Sequence, residues 1–328
     1  MLTDNHGRHI NYLRLAVTDR CNLRCFYCMP EKGNVWLERK DLLSFEEMLR
    51  LCRLAVTMGI EKIRITGGEP FVRKGIMAFL TDLSNTKGLN ELTITTNGVL
   101  TAPLVPELKK IGIKSVNLSL DTLDRDRFLA ITHRDELANV LATMEALLRH
   151  GLEVKLNAVV MEGQNIQDIL PLVQLTKNNK VTVRFIEEMP FNGGETHYPT
   201  LNWDHKKIYD TIHGAYPGIE KLSDPEYSTS YNYHIPGHTG NVGIIAAFTR
   251  SFCGTCNRLR ITPQGILKTC LYQGGGTDIR QIIRQKPDND TLRQALLTAI
   301  SHRAKDGYEA ERNRLAGGIH ESMATIGG

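Results

Sequence analysis

From residue 11 to about residue 190, short β-rich runs alternate with amphipathic helical stretches, and this alternation constrains the fold more than any other feature of the chain. The β runs are YLRLAVT (12–18), EKIRIT (61–66), ELTITT (91–96), SVNLSL (115–120), EVKLNAVV (153–160) and VTVRFIEE (181–188). Between them, SFEEMLRLCRLAVTM and ELANVLATMEALLRH repeat apolar residues at helical period. Ser44 and Glu47 form a capping-box pattern at the start of the first helix. Gly59, Gly112 and Gly151 follow helical patterns where a left-handed stop is expected. Strand–helix units repeated six times imply a parallel sheet with right-handed crossovers.

Two closures compete, an open doubly wound sheet and a barrel. The unusual residues follow successive strands: CNLRCFYC (21–28), GGEP (67–70), TNG (96–98), SLD (119–121) and RFIEEMPFNGG (184–194), with Lys155 and Asn157 on the fifth strand. A parallel barrel gathers its chemistry on those ends, whereas a doubly wound sheet concentrates it at one switch point. The expected fold is therefore α/β, a partial (β/α)6 TIM-like barrel over residues 1–200. Beyond it the rhythm breaks. Residues 201–328 read as an extension covering the barrel mouth, with a stretch at 216–250 that has no clean period.

No apolar run is long enough to span a bilayer, and the N-terminal residues have no signal pattern, so a cytoplasmic protein is expected. The formal charge of +4 is spread without a run of five like charges, and aromatic residues make up 6% of the chain. A nucleic-acid binder needs a basic stripe with exposed aromatics, so no nucleic-acid partner and no membrane partner are expected.

Six of the seven cysteines fall into two sets of three, Cys21, Cys25, Cys28 and Cys253, Cys256, Cys270. Such clustering points to metal or redox chemistry. Cys52 lies at core spacing in a helical pattern and reads as packing. Thiolates select zinc, copper(I) or iron–sulfur clusters. Structural zinc wants four ligands, and His234 or His238 could complete the second set. A 4Fe–4S cluster held by three cysteines leaves one iron open to a small molecule. Both readings stay open for the second set. GGEP is likewise compatible with a tight turn or with close approach to a ligand.

CNLRCFYC resembles the radical S-adenosylmethionine signature, and GGEP after the second strand strengthens that likeness. The order LRLAVTDRCNLRCFYC, KIRITGGEP, TTNG, VNLSLD, RFIEEM, FCGTCNRLR and a terminal IGG resembles the GTP 3′,8-cyclase family of molybdenum cofactor biosynthesis nearly end to end. That resemblance implies two 4Fe–4S clusters. One, on Cys21, Cys25 and Cys28, is chelated by S-adenosylmethionine and cleaves it to a 5′-deoxyadenosyl radical. The other, on Cys253, Cys256 and Cys270, contacts the guanine of GTP. It implies that Tyr27, Gly68, Ser119 and Met189 touch S-adenosylmethionine, Gly68 through its backbone, and that Arg184 pairs with its carboxylate. Arg14, Arg64, Thr95, Lys155, Arg258 and Arg260 are expected at GTP. Alternation in KIRIT sets Arg64 opposite Ile63 and Ile65, and Arg258 and Arg260 share a face if extended. Inward cations imply an anionic partner, because charge is rarely buried unpaired.

Gly327 and Gly328 would by default be a disordered terminus; the resemblance implies a tail that reaches the active site and helps radical initiation. Further implied partners are an electron donor, a second copy of the chain in a homodimer, and the downstream cyclic pyranopterin monophosphate synthase. A radical enzyme with an auxiliary cluster that modifies a peptide or another nucleotide is the alternative; against the peptide stand the NRLR pair and the Gly-Gly tail.

Overall fold

The computed structural model describes residues 2–29, 36–189, 201–285, 288–316 and 321–327. The parallel strands run β1 (Tyr12–Ala16), β2 (Lys62–Thr66), β3 (Glu91–Thr96), β4 (Ser115–Ser119), β5 (Glu153–Val160) and β6 (Val181–Glu187). The connecting helices are α1 (Phe45–Met58), α2 (Ile76–Ser84), α3 (Val105–Lys110), α4 (Arg125–Thr132), α5 (Leu137–Arg149) and α6 (Ile169–Asn178). The six expected strands are all present, within two residues of their expected ends. At the start of α1 both halves of the capping box form: the Glu47 amide donates to Ser44 Oγ at 3.2 Å and the Ser44 amide to Glu47 Oε2 at 2.7 Å. Gly59, at φ 116°, ends that helix in the left-handed region.

The C-terminal part adds α7 (His205–Ala215), β7 (Glu220–Lys221), β8 (Tyr231–His234), β9 (Asn241–Ile245), β10 (Arg258–Ile261), β11 (Ile266–Lys268) and β12 (Thr277–Asp278). Helices α8 (Ile279–Arg284), α9 (Asn289–Ser301), α10 (Gly307–Ala316) and α11 (Met323–Ile326) follow. These strands extend the barrel sheet itself. Its order is β12-β11-β10-β1-β2-β3-β4-β5-β6-β9-β8-β7, without closure between β12 and β7. β10 pairs in parallel with β1, and β9 in parallel with β6. The six-strand expectation thus gains one parallel strand at each edge. Sequence period could not reveal them, because both strands are short and β9 lies in the aperiodic stretch.

Polarity across the sheet is reversed relative to a filled barrel, whose interior is apolar. The face turned to the helices is the core: Leu13, Leu15, Ile63, Ile65, Val116, Leu118, Val154, Leu156, Val183 and Phe185 are buried there. Alternate residues on the inner face are polar and border a cavity of about 870 Å³. Parallel register sets them in rows, Arg260–Arg14–Arg64 across β10, β1 and β2, with Arg258–Tyr12–Lys62 beside it.

The join between β6 and β9 is tight. A Cβ at Gly240 would be driven into the Val181 carbonyl, and the neighbouring Asn179 carbonyl and Val181 amide leave no side-chain atom to yield. Gly240→Ala should therefore cost about 1–3 kcal/mol through overpacking, read as a lower denaturant midpoint; an unchanged midpoint would show that the β6 edge yields freely.

Candidate functional site

All six clustered cysteines border the one central cavity, and so do Tyr27, Gly68, Ser119, Met189, Arg14, Arg64, Thr95, Lys155, Arg184, Arg258 and Arg260. Gly327 reaches its rim: its carbonyl accepts from Arg260 Nη1 at 3.0 Å, and at φ 78° it sits against Ala16 and Thr66 with no room for a side chain. Gly328 lies outside the described residues, as do positions 190–194 of the RFIEEMPFNGG stretch.

The first cysteine loop is fixed from beneath. The Leu23 amide and Asn97 Nδ2 approach Cys21 Sγ at 3.4 and 3.5 Å, and Asn97 Nδ2 also donates to Asn22 Oδ1 at 2.7 Å. Cys28 receives the Ala324 amide from the C-terminal helix. Burial pushes the Cys21 thiol up to about 11 and Cys28 to about 12, and burial with Asp121 and the neighbouring thiols raises Cys25 well above its ordinary value. Three thiolates in this loop need a cationic partner.

Glu69, which sequence reasoning passed over within GGEP, holds the adjoining turns. It is fully buried, accepts from the Asn97 amide at 2.7 Å, the Phe71 amide at 3.1 Å and Thr96 Oγ1 at 2.9 Å, and its carboxyl is pushed by burial up to about 7 despite those donors. Asp121 plays the same part opposite, taking Tyr27 Oη–H at 2.8 Å and the Val159 amide at 2.9 Å. Both carboxylates sit directly after β-strands, which is the one signal that marked them.

In the second set burial again raises Cys253 and Cys270, but Cys256 is shifted the other way. Burial would raise Cys256, but Arg258, Arg303, its backbone contacts and Arg260 outweigh that and bring it down to about 7; Arg303 Nη2 lies 3.0 Å from its sulfur. Cys253 receives the Gly307 amide and Cys270 that of Tyr272. Arg250, held at φ 56°, stacks between Tyr272 (3.7 Å) and Tyr308 (4.3 Å) and pairs with Glu311 at 2.5 Å, tying this loop to α10. Buried Glu187 at the end of β6 takes the Phe248 and Thr249 amides at 2.9 and 2.8 Å. His234 and His238 are engaged elsewhere, with Asn241 and Thr176, and neither borders the cavity. No three His, Cys, Asp or Glu side chains among the described residues converge on a single-ion site. Each set offers thiols with amide or guanidinium donors at sulfur, a donor chemistry that fits an iron–sulfur cluster.

The cations divide into two kinds. Lys155 pairs with Glu153 and Lys62 with Glu91, each at 2.8 Å, so Lys155 is not the unpaired inward charge its position suggested; β5 and β3 supply carboxylates at their own starts. Arg14, Arg64, Arg184, Arg258 and Arg260 meet no carboxylate among the described residues; Arg184 is held by Asn157 (3.0 Å) and Asn117 (2.7 Å), and Arg64 by Thr93 (3.2 Å). Arg14 Nε, Arg258 Nη2 and Tyr12 Oη are buried without hydrogen-bond partners. Burial, with Arg260 beside it, holds Arg14 well below the usual guanidinium range, and burial with Arg258 brings Arg260 to about 10. This surface fits a polyanion. Gly68 spends its amide on the Thr18 carbonyl at 2.8 Å, which leaves its carbonyl as the backbone group for a ligand.

Glu69→Gln is a sensitive test of the scaffold. All three partners of Glu69 are donors, so a Gln amide must turn its NH2 toward one of them. The change should cost about 1–3 kcal/mol and lower metal retention by the first loop, measured by denaturation and metal content; native values for both would show that a neutral acceptor suffices.

Comparison with known proteins agrees with this geometry. The Radical SAM superfamily model matches residues 15–176, and the Molybdenum Cofactor Synthesis C model matches residues 181–309. A GTP 3′,8-cyclase of Geobacter sulfurreducens is 41% identical over 100% of this chain and 99% of its own length. One from Peptoclostridium acidaminophilum is 42% identical over 93% of both chains. Molybdenum cofactor biosynthesis protein 1 of Bos taurus is 41% identical over 93% of this chain, which spans only 48% of that longer relative. In fold, the chain is similar to SuiB of Streptococcus suis, with a TM-score of 0.61 at 18% identity over 81% of this chain and 61% of that one. No described helix is long and apolar enough to cross a membrane. With these two relatives aligned over 93% or more of this chain and of their own length, the chain belongs to the GTP 3′,8-cyclase family.

Proposed function

We propose that this chain catalyses the 3′,8-cyclisation of GTP that opens molybdenum cofactor biosynthesis. One observation carries the reading: unpaired guanidinium groups line the same cavity as two three-cysteine sets. A triphosphate neutralises such a surface, and a guanidinium fork suits it. Arg14, Arg64, Arg258 and Arg260 grip the phosphates, with Thr95 beside them, and Lys155 joins by exchanging Glu153 for substrate.

Cys21, Cys25 and Cys28 hold the first 4Fe–4S cluster, which with bound S-adenosylmethionine supplies the reductive cleavage and hydrogen abstraction that cyclisation requires. The Gly68 carbonyl, Ser119, Met189 and the Tyr27 backbone orient the sulfonium ligand, while Arg184 faces its carboxylate. Residues 1–200 bring these groups together. Residues 201–328 contribute Cys253, Cys256 and Cys270, which hold a second 4Fe–4S cluster toward the guanine. An electron donor and the synthase that consumes the product complete the setting, and the chain works as a homodimer.

The deciding experiment is anaerobic reconstitution with iron and sulfide, followed by assay of 5′-deoxyadenosine with and without GTP. Iron for two clusters and strong stimulation by GTP are expected. Cleavage indifferent to GTP would overturn the substrate; no cleavage from a loaded sample would overturn the reaction.

The terminal glycines, Gly327 and Gly328, serve radical initiation. The Ala324 amide on Cys28 and the Gly327 carbonyl on Arg260 tie the tail to the radical-forming loop and to the cation row at once. Deleting the last two residues should abolish cyclised product while both clusters' iron is retained; turnover at the wild-type rate would remove the tail from catalysis.

A further inference from the structure

Cys21 is the one cysteine that borders two hollows, the central cavity and a shallow depression of about 330 Å³ on the outer surface. The depression is lined by Arg20, Cys21, Asn22, Arg24, Trp36 and Arg134. The three arginines are exposed and Trp36 is half-buried. Among the described residues the Arg134 guanidinium donates only to the adjacent His133 carbonyl, at 2.8 Å, and no guanidinium of the three meets a carboxylate. Among the described residues, the acids adjoining them in sequence are engaged elsewhere: Asp135 with Arg125, and buried Asp19 through Oδ2 with the Leu37 amide at 2.7 Å. The patch is thus positive, carries an aromatic, and lies one side chain from the first metal-binding loop.

We propose that this depression is the docking face of an acidic one-electron carrier protein. The inference rests on the proposed function, which needs electrons at Cys21, Cys25 and Cys28. Cys25 and Cys28 border only the central cavity, where substrate would stand between them and any donor. Cys21 alone offers a path from outside. In the step, the carrier's reduced centre gives up one electron and the group held behind Cys21 gains it; no bond breaks and no proton moves. The hollow is too open, and its cations too spread and solvated, to enclose a small anion. A spread of exposed charge instead steers a large acidic surface, and transient electron-transfer contacts bury little area. Arginine and tryptophan are the side chains such contacts favour.

The test uses the full chain loaded with its clusters, without S-adenosylmethionine or GTP, and an acidic flavodoxin in its hydroquinone state. Stopped-flow absorbance follows flavin oxidation, and flavin anisotropy follows binding. The triple variant Arg20→Glu, Arg24→Glu, Arg134→Glu should lower the second-order rate about 10–10³-fold at low salt and weaken binding, the Gln triple falling between. Raising salt should slow the wild type and not the Glu triple. Dithionite, a small reductant, should reduce all three proteins alike. A Glu triple that flavodoxin binds and reduces at the wild-type rate overturns the docking face, and equal slowing with dithionite overturns it by locating the damage at the cluster. Because no turnover is read, failure of GTP cyclisation would leave this result standing.

Discussion

Guanidinium groups resist leaving water, and this sheet sets three of them side by side. Parallel register places Arg260, Arg14 and Arg64 on neighbouring strands, where strands lie only about 4.8 Å apart. Like charges so placed repel; burial first, and then this repulsion, lowers Arg14 and Arg260. Lys62 and Lys155 escape by pairing with carboxylates at the strand starts; the row above them does not. An anion that enters relieves the repulsion, so binding and stability are linked. The outer face bears the cost: a continuous apolar core between sheet and helices lets the inner face be chosen for chemistry.

The two cysteine sets solve a second problem, how to hold reactive loops still at the ends of strands. Each uses a buried carboxylate at or just beyond a strand end as an acceptor for loop amides, Glu69 for the first set's neighbours and Glu187 for the approach to the second. Both accept on both oxygens, which an amide side chain, with a single acceptor oxygen, cannot do. The loops differ in charge. Asp121 and Glu69 stand near the first, and Arg258, Arg260 and Arg303 near the second. Thiolate is therefore favoured by the protein itself at Cys256, whereas burial raises Cys253 and Cys270 as it does the first set, and there the cationic group must supply the favour.

Much of this was legible in the sequence. Strand periods, the Ser44–Glu47 box and the inward alternation of Arg64 follow from local rules and reappear unchanged. So does the extended NRLR piece, whose Arg258 and Arg260 share the inner face of β10. Partners remote in sequence were not legible. Nothing near Lys62 marks Glu91, on the next strand, as its ion pair, and nothing in 216–250 announces β9, a five-residue strand whose Gly243 makes room for Arg184. Tyr12 reads as a strand aromatic; only the register sets it between Arg258 and Lys62, with its hydroxyl buried and without a hydrogen-bond partner.

The edge strands explain why the C-terminal part cannot be separated from the site. A six-stranded parallel sheet that stops short of closure leaves two open edges, each a row of unpaired backbone groups. β10 covers one and β9 the other, both running parallel to the strand they join. β10 arrives carrying two cations and the second cysteine loop just ahead of it, so pairing with β1 delivers all of them to Arg14. From there Arg260 reaches the carbonyl of Gly327, and α11 returns to Cys28. The chain's last described residues therefore close a circuit that begins at its first strand, and each link in it is a backbone or guanidinium contact that local sequence cannot form alone.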